Sequence, residues 1–137
     1  MDGNKILDSF VKNFIPKDKR ERSEFELRNP KKRARFTDRL NHKWDTVFDM
    51  RVISRIPSGV VGYDFAKKEL NIKGNELCYI ISSHDHIDGQ IIEFDKAFEE
   101  VYGRGFGSVI ISSSGDKLYL ETELVQGKQI RFIGKMK

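Results

Sequence analysis

Cysteine is nearly absent from this sequence: Cys78 stands alone among 137 residues. A lone thiol closes no intrachain bridge, which excludes a disulfide-stapled secreted scaffold and leaves the fold to its own core. A chain of this length buries enough surface to manage without such staples. Proline is scarce too, with three residues at positions 16, 30 and 57, and each falls where an element would stop or restart. No stretch approaches the roughly 20 apolar residues of a membrane helix. The opening MDGNKILDSFVKNFIPKDK interrupts its apolar positions with Asp8, Ser9, Lys12 and Asn13, so it lacks the continuous apolar centre of a signal peptide. These absences lead to the expectation of one cytoplasmic domain over residues 1–137, without membrane contact. Internal repeats and low-complexity tracts are missing as well.

What is present is charge, and it is unevenly placed. Apolar residues make up 38% of the chain and charged residues 34%. The apolar residues are clustered, which favours a globular core over disorder. Of the net charge of +4, residues 1–60 supply the excess, with 15 Lys/Arg against 9 Asp/Glu, while residues 61–137 carry 10 against 12. That asymmetry points to an anionic partner for the first half.

The apolar spacing changes once along the chain. Ile6, Leu7, Phe10, Val11, Phe14 and Ile15 recur at helical intervals, predicting an amphipathic helix over 4–15 that Pro16 ends. A charged helix is expected over 17–28. Asn29-Pro30 then breaks the chain, and Phe36, Leu40, Trp44, Val47 and Phe48 again fit a helical face. Strand patterns follow at 50–56, 76–83, 90–94, 108–113, 118–124 and 128–133, with short helices at 64–70 and 95–102 capped by Asp64 and Asp95. Leu77 to Ile81 leaves no polar face, which predicts a central strand covered on both sides. Leu118, Leu120, Thr122 and Leu124 alternate with Tyr119, Glu121 and Glu123, the pattern of a strand with one wet face. The fold class expected is α+β: N-terminal helices over about 4–48 packed on a mainly antiparallel sheet over about 76–133, with one further helix inserted between strands.

Two segments offer chemistry. The first, Ser82-Ser83-His84-Asp85-His86-Ile87-Asp88-Gly89, follows the central strand and reads H-x-H-x-D. It resembles part of the metallo-β-lactamase-fold motif H-x-H-x-D-H. That resemblance implies His84 and His86 as ligands of one zinc and Asp88 as a ligand of a second. The match covers five residues, and Gly89 stands where the family has its last histidine. His42 is the one other histidine in the chain, and the family fold is larger, so membership is not assigned. As a simpler site, His84, His86 and Asp88 are candidate metal ligands for a metal-dependent hydrolase; a catalytic zinc needs three protein ligands and an open position. Against this stands a solvated turn with Asp88-Gly89 as its corner.

The second segment is basic. Lys31, Lys32, Arg33, Arg35 and Arg39 lie within nine positions, with Arg20, Arg22 and Arg28 upstream. Such residues neutralise phosphates, which makes these five candidates for nucleic-acid binding; KKRAR also looks like a short nuclear-import signal. Interleaved Asp18, Glu21, Glu24, Glu26 and Asp38 favour instead a helix solvated by its own ion pairs.

Lesser candidates complete the inventory. In Gly103-Arg104-Gly105-Phe106-Gly107 the order is helix, glycines, strand, the reverse of a phosphate cradle, leaving Arg104 as an anion-binding candidate on a turn. Cys78, between Leu77 and Tyr79, reads as a core residue rather than a nucleophile. Glu121 and Glu123 share a strand face assigned to water. With no complete catalytic set and no cofactor motif, the expected function is a binding or interaction module. Its partner would be a protein or a nucleic-acid phosphate backbone, reached through the basic helical surface and a sheet edge, with self-association left open.

Overall fold

The first helix shows how the chain is built. In the computed structural model, which describes residues 2–127 and 129–136, α1 spans Gly3–Phe14. The Asp2 carboxylate caps it by accepting from the Asn4 amide at 2.9 Å. Pro16 stops it, and its stripe of Ile6, Leu7, Phe10, Val11 and Phe14 is buried. The charged segment after Pro16 forms a 3-10 turn at Lys17–Lys19 and then α2, Arg20–Arg28. Asn29 opens the next turn by accepting from the Lys31 amide at 3.0 Å, and α3 runs Arg33–His42. A break at Lys43 separates it from the short α4, Trp44–Val47. The rings of Phe14, Phe36 and Phe48 gather around Phe10 at 6.1–6.4 Å, separations at which aromatic pairs attract beyond their area burial.

Six strands follow: β1 Ile53–Arg55, β2 Leu77–Ser82, β3 Ile91–Glu93, β4 Ser108–Ser112, β5 Lys117–Glu121 and β6 Arg131–Lys135. They form one sheet in the order β1-β6-β5-β4-β2-β3. Every pairing is antiparallel. The two edge strands are three residues long, which limits the unpaired backbone offered to a neighbour. Two helices lie between strands: α5, Gly62–Leu70, follows β1, and α6, Phe94–Val101, follows β3.

The sheet is covered on both faces. Ile81, Val109, Ile111, Leu118, Leu120 and Phe132 face the core shared with α1–α4. Their alternates Cys78, Ile80, Ile110, Tyr119 and Ile133 face a second core with α5 and α6. The α+β expectation holds, as does the phenylalanine stripe of α1 lying on the sheet. Gly134 makes that contact close: a Cβ there would stand 2.8 Å from the Phe14 ring and 3.2 Å from Leu118.

One expectation fails. Tyr119 and Glu121 were assigned to a wet face, yet both are buried. The Phe98 ring of α6 lies 4.9 Å from Tyr119, and Tyr102 stacks on Phe98 at 5.0 Å, so the second helix layer roofs the face that alternation gave to water. Caps also differ. Asp64 and Asp95 sit inside the first turns of α5 and α6, whose N-caps are Val61 and Glu93. Helix α5 ends on Asn71 in the left-handed region. The last strand begins at Arg131, and Lys128, where it was expected to start, lies outside the described residues. No helix among the described residues is long and apolar enough to cross a membrane.

Candidate functional site

The histidine turn and the basic helix are bound to each other. The Asp88 carboxylate accepts from Arg33 Nε at 2.5 Å and Nη2 at 2.9 Å, and its Oδ1 also accepts from the Ser82 amide at 2.9 Å. Arg33 Nη1 donates to the Leu27 carbonyl at 3.1 Å, and the guanidinium lies 5.5 Å over the Tyr79 ring. The two side chains are 15% and 16% exposed. Burial acts to lower the Arg33 pKa, but Asp88 outweighs it and the net shift is upward. Planar two-point pairing of this kind fixes orientation as well as charge.

The rest of the turn is arranged around that anchor. Ile87 is buried. The His84 ring stacks on Phe106 at 4.8 Å and 13°, and the His84 and His86 rings are 5.7 Å apart. The structure thus brings the two imidazoles together while Asp88 serves Arg33. Among the described residues no group of three His, Cys, Asp or Glu side chains is placed to hold a metal ion. His42, the remaining histidine, faces Glu123 at 3.5 Å.

The five basic candidates divide. Arg33 and Arg39 point inward: Arg39 donates to both oxygens of Glu26, at 3.1 Å to Oε2, and to the Arg35 carbonyl at 3.1 Å. Glu26 is only 2% exposed in its side chain and also meets Arg22 at 3.4 Å. Burial pushes the Glu26 pKa up, and the Arg39 and Arg22 guanidiniums more than offset it, so the carboxyl lies below its ordinary range. Lys31, Lys32 and Arg35 make no ion pair among the described residues, and Lys31 and Arg35 are exposed. Arg22, Arg35, Asp38, Arg39, His42 and Lys43 line an open groove of about 360 Å³. Phe25, one helical turn from Arg22, is 54% exposed.

Arg104 is exposed, and among the described residues its side chain reaches only the Glu99 carbonyl, at 3.5 Å. Its loop does hold a carboxyl group, but one belonging to the chain. The Gly103 amide donates to Glu121 Oε1 at 2.9 Å and the Tyr119 hydroxyl to Oε2 at 2.8 Å. Gly103 takes φ of +70°, a conformation that glycine adopts without strain. Burial raises the pKa of Glu121 against the opposing pull of Tyr119, Gly103 and Arg131. Arg131 lies 3.7 Å from the carboxylate and 4.4 Å over the Tyr102 ring. Cys78 is fully buried, and burial pushes its thiol pKa up to about 12.

Arg131, Tyr102 and Arg55 were not among the sequence candidates. They meet only because β1 pairs with β6 at one end of the sheet, where the Ile56 amide donates to the Arg131 carbonyl at 2.8 Å. The single local signal was a charged residue opening a strand. Comparison with known proteins finds no matching family model, no matching curated protein and no matching solved structure.

Proposed function

We propose that this chain is a non-catalytic binding module that engages an acidic protein surface through the exposed face of α2 and α3. The observation that carries the reading is the groove between these helices. Its wall carries Arg35 and Lys43, which make no ion pair among the described residues, beside Arg22, Asp38 and His42, while its buried acid, Glu26, is already met by Arg39 and Arg22. Arg35 and Lys43 are therefore available to a partner. Phe25 adds an exposed ring beside Arg22, and aromatic and arginine side chains are the types that dominate binding energy at protein interfaces. Charge on such a rim speeds encounter more than it tightens the complex.

The test is an amide-shift titration with an aspartate- and glutamate-rich peptide at low and moderate salt. The reading expects shifts confined to α2, α3 and Lys43, weakened by salt and by Arg35→Ala combined with Lys43→Ala. Absence of any response in the double variant's parent at low salt overturns it.

A second reading takes nucleic acid as the partner. Lys31, Lys32 and Arg35, which make no ion pair among the described residues and lie just before and within the first turn of α3, favour it. A short duplex would then bind with a steep dependence on salt. Lys31→Ala combined with Arg35→Ala would lower that slope by about 2, since roughly one counterion is released per phosphate contact.

A further inference from the structure

At the end of the sheet where β1 meets β6, a cavity of about 110 Å³ is lined by Arg55, Ser58, Gly59, Gly62, Tyr102 and Arg131 among others. That is room for more than a single water and for a small ligand of several heavy atoms. A wider cleft adjoins it and shares Arg55, Ser58, Gln129 and Arg131 with it. None of these residues lines the groove between α2 and α3.

Arg131 is held ready at this cavity. Tyr102 stacks on its guanidinium at 4.4 Å, and Nη2 donates to the Gln129 side chain at 3.2 Å. Gln129 is itself fixed by donating to the Thr122 carbonyl at 2.8 Å. Arg131 Nε is buried with no hydrogen-bond partner among the described residues. Glu121 lies behind it at 3.7 Å without making a hydrogen bond to it. Arg55 supplies a second cation and makes no ion pair among the described residues. Asp64, in the first turn of α5, is the nearest acid of that helix in sequence. The chain between the two elements, Pro57-Ser58-Gly59-Val60-Val61, turns at Gly59 with φ of +85° and enters α5 with no side chain capping it. A guanidinium held by stacking, a second arginine, a serine and free backbone amides are the donors that phosphoryl oxygens accept from.

We propose that this cavity binds a phosphoryl group through Arg131 and Arg55, with any organic part of the ligand lying in the adjoining cleft.

The experiment is a calorimetric and amide-shift titration of the full chain with inorganic phosphate, glycerol 3-phosphate and acetate. Both phosphates are expected to shift Ser58, Gly59, Val60 and Gly62. Tighter binding of the monoester assigns the ligand as a phosphorylated small molecule, and tighter binding of phosphate assigns the free ion. Arg55→Ala, on an exposed side chain, is expected to weaken binding at least tenfold with the melting temperature unchanged. Arg131→Lys keeps the charge but not the planar fork, and is expected to weaken it similarly. Acetate binding as tightly as either phosphate overturns the proposal. So do shifts confined to α2–α4, an unaffected Arg55→Ala, or no binding at millimolar phosphate.

Discussion

Arg33 and Asp88 hold each other. They are the middle residue of the most basic segment and the acidic end of the histidine turn, 55 positions apart, joined by two hydrogen bonds of 2.5 and 2.9 Å. What looked like a piece of a phosphate-binding surface and a piece of a metal site is a clamp between α3 and the end of β2. Removing either partner leaves the other charge largely shielded from water. A fully buried pair broken in this way costs roughly 3–5 kcal/mol. With some solvent access, Asp88→Ala or Arg33→Ala should cost about 2–3 kcal/mol. Urea denaturation of the two single variants and the double variant measures the coupling, which should exceed about 1 kcal/mol. Arg35→Ala, by contrast, should stay within about 0.5 kcal/mol of the parent.

Engagement of Asp88 bears on metal as well. The Asp88 oxygens already accept from a guanidinium and a backbone amide, and the His84 ring is occupied on one face by Phe106. Chelation should therefore leave the melting temperature unchanged, and protein purified without an affinity tag should carry less than one zinc per chain. Elemental analysis together with a thermal melt in EDTA checks both. Stoichiometric zinc lost on His84→Ala would restore the metal reading.

The thiol offers an independent check on the core. Cys78 is covered by both β2 neighbours, its side chain is buried, and its pKa is pushed up to about 12. Reaction with a thiol reagent needs the thiolate and access to it. At pH 8 the native protein should react at a rate set by unfolding, and full reaction should follow at once in denaturant. Fast labelling of native protein would mean that the α5–α6 layer does not seal the sheet.

How far the sequence carried is visible in two strands that flank β4. Leu77 to Ile81 has no polar face, so its burial on both sides was legible from those residues alone. Tyr119 and Glu121 were misjudged because each carries a polar tip on a body that can be buried, and only distant residues decide which applies. The decision is made by Phe98 of α6, which covers Tyr119 and has Tyr102 stacked on it, and by the Gly103 amide, which meets Glu121. The cavity at Arg131 was hidden for a related reason. Arg55 lies far from it in sequence, and the strand pairing that joins them has no local signature. The inward turn of Arg33 and Arg39 was equally unreadable, since a basic run looks the same whether its acids are neighbours or partners across the fold.

Glu121 gives the sharpest test, because the sign of its pH dependence is fixed by its burial. Its folded pKa is raised above the ordinary 4.5, with burial the largest cause. The folded state therefore binds the proton more tightly than the unfolded chain does. The stability this provides is full below the ordinary glutamate range and is lost as pH rises through the raised value. Glu121→Gln mimics the protonated acid: its amide oxygen can accept from the Gly103 amide, and its NH2 can donate to the Tyr119 hydroxyl. The variant should thus lack this contribution to the pH dependence, and the parent should lose stability relative to it, by at most about 1.4 kcal/mol per pH unit, between pH 4.5 and the raised pKa. Urea midpoints of both proteins at half-unit steps from pH 4 to 8 measure the difference. The gap should close toward the acid end, where the parent itself becomes protonated. A parent that instead gains on the variant as pH rises would mean that the Arg131 charge at 3.7 Å dominates burial and that Glu121 is held as a carboxylate.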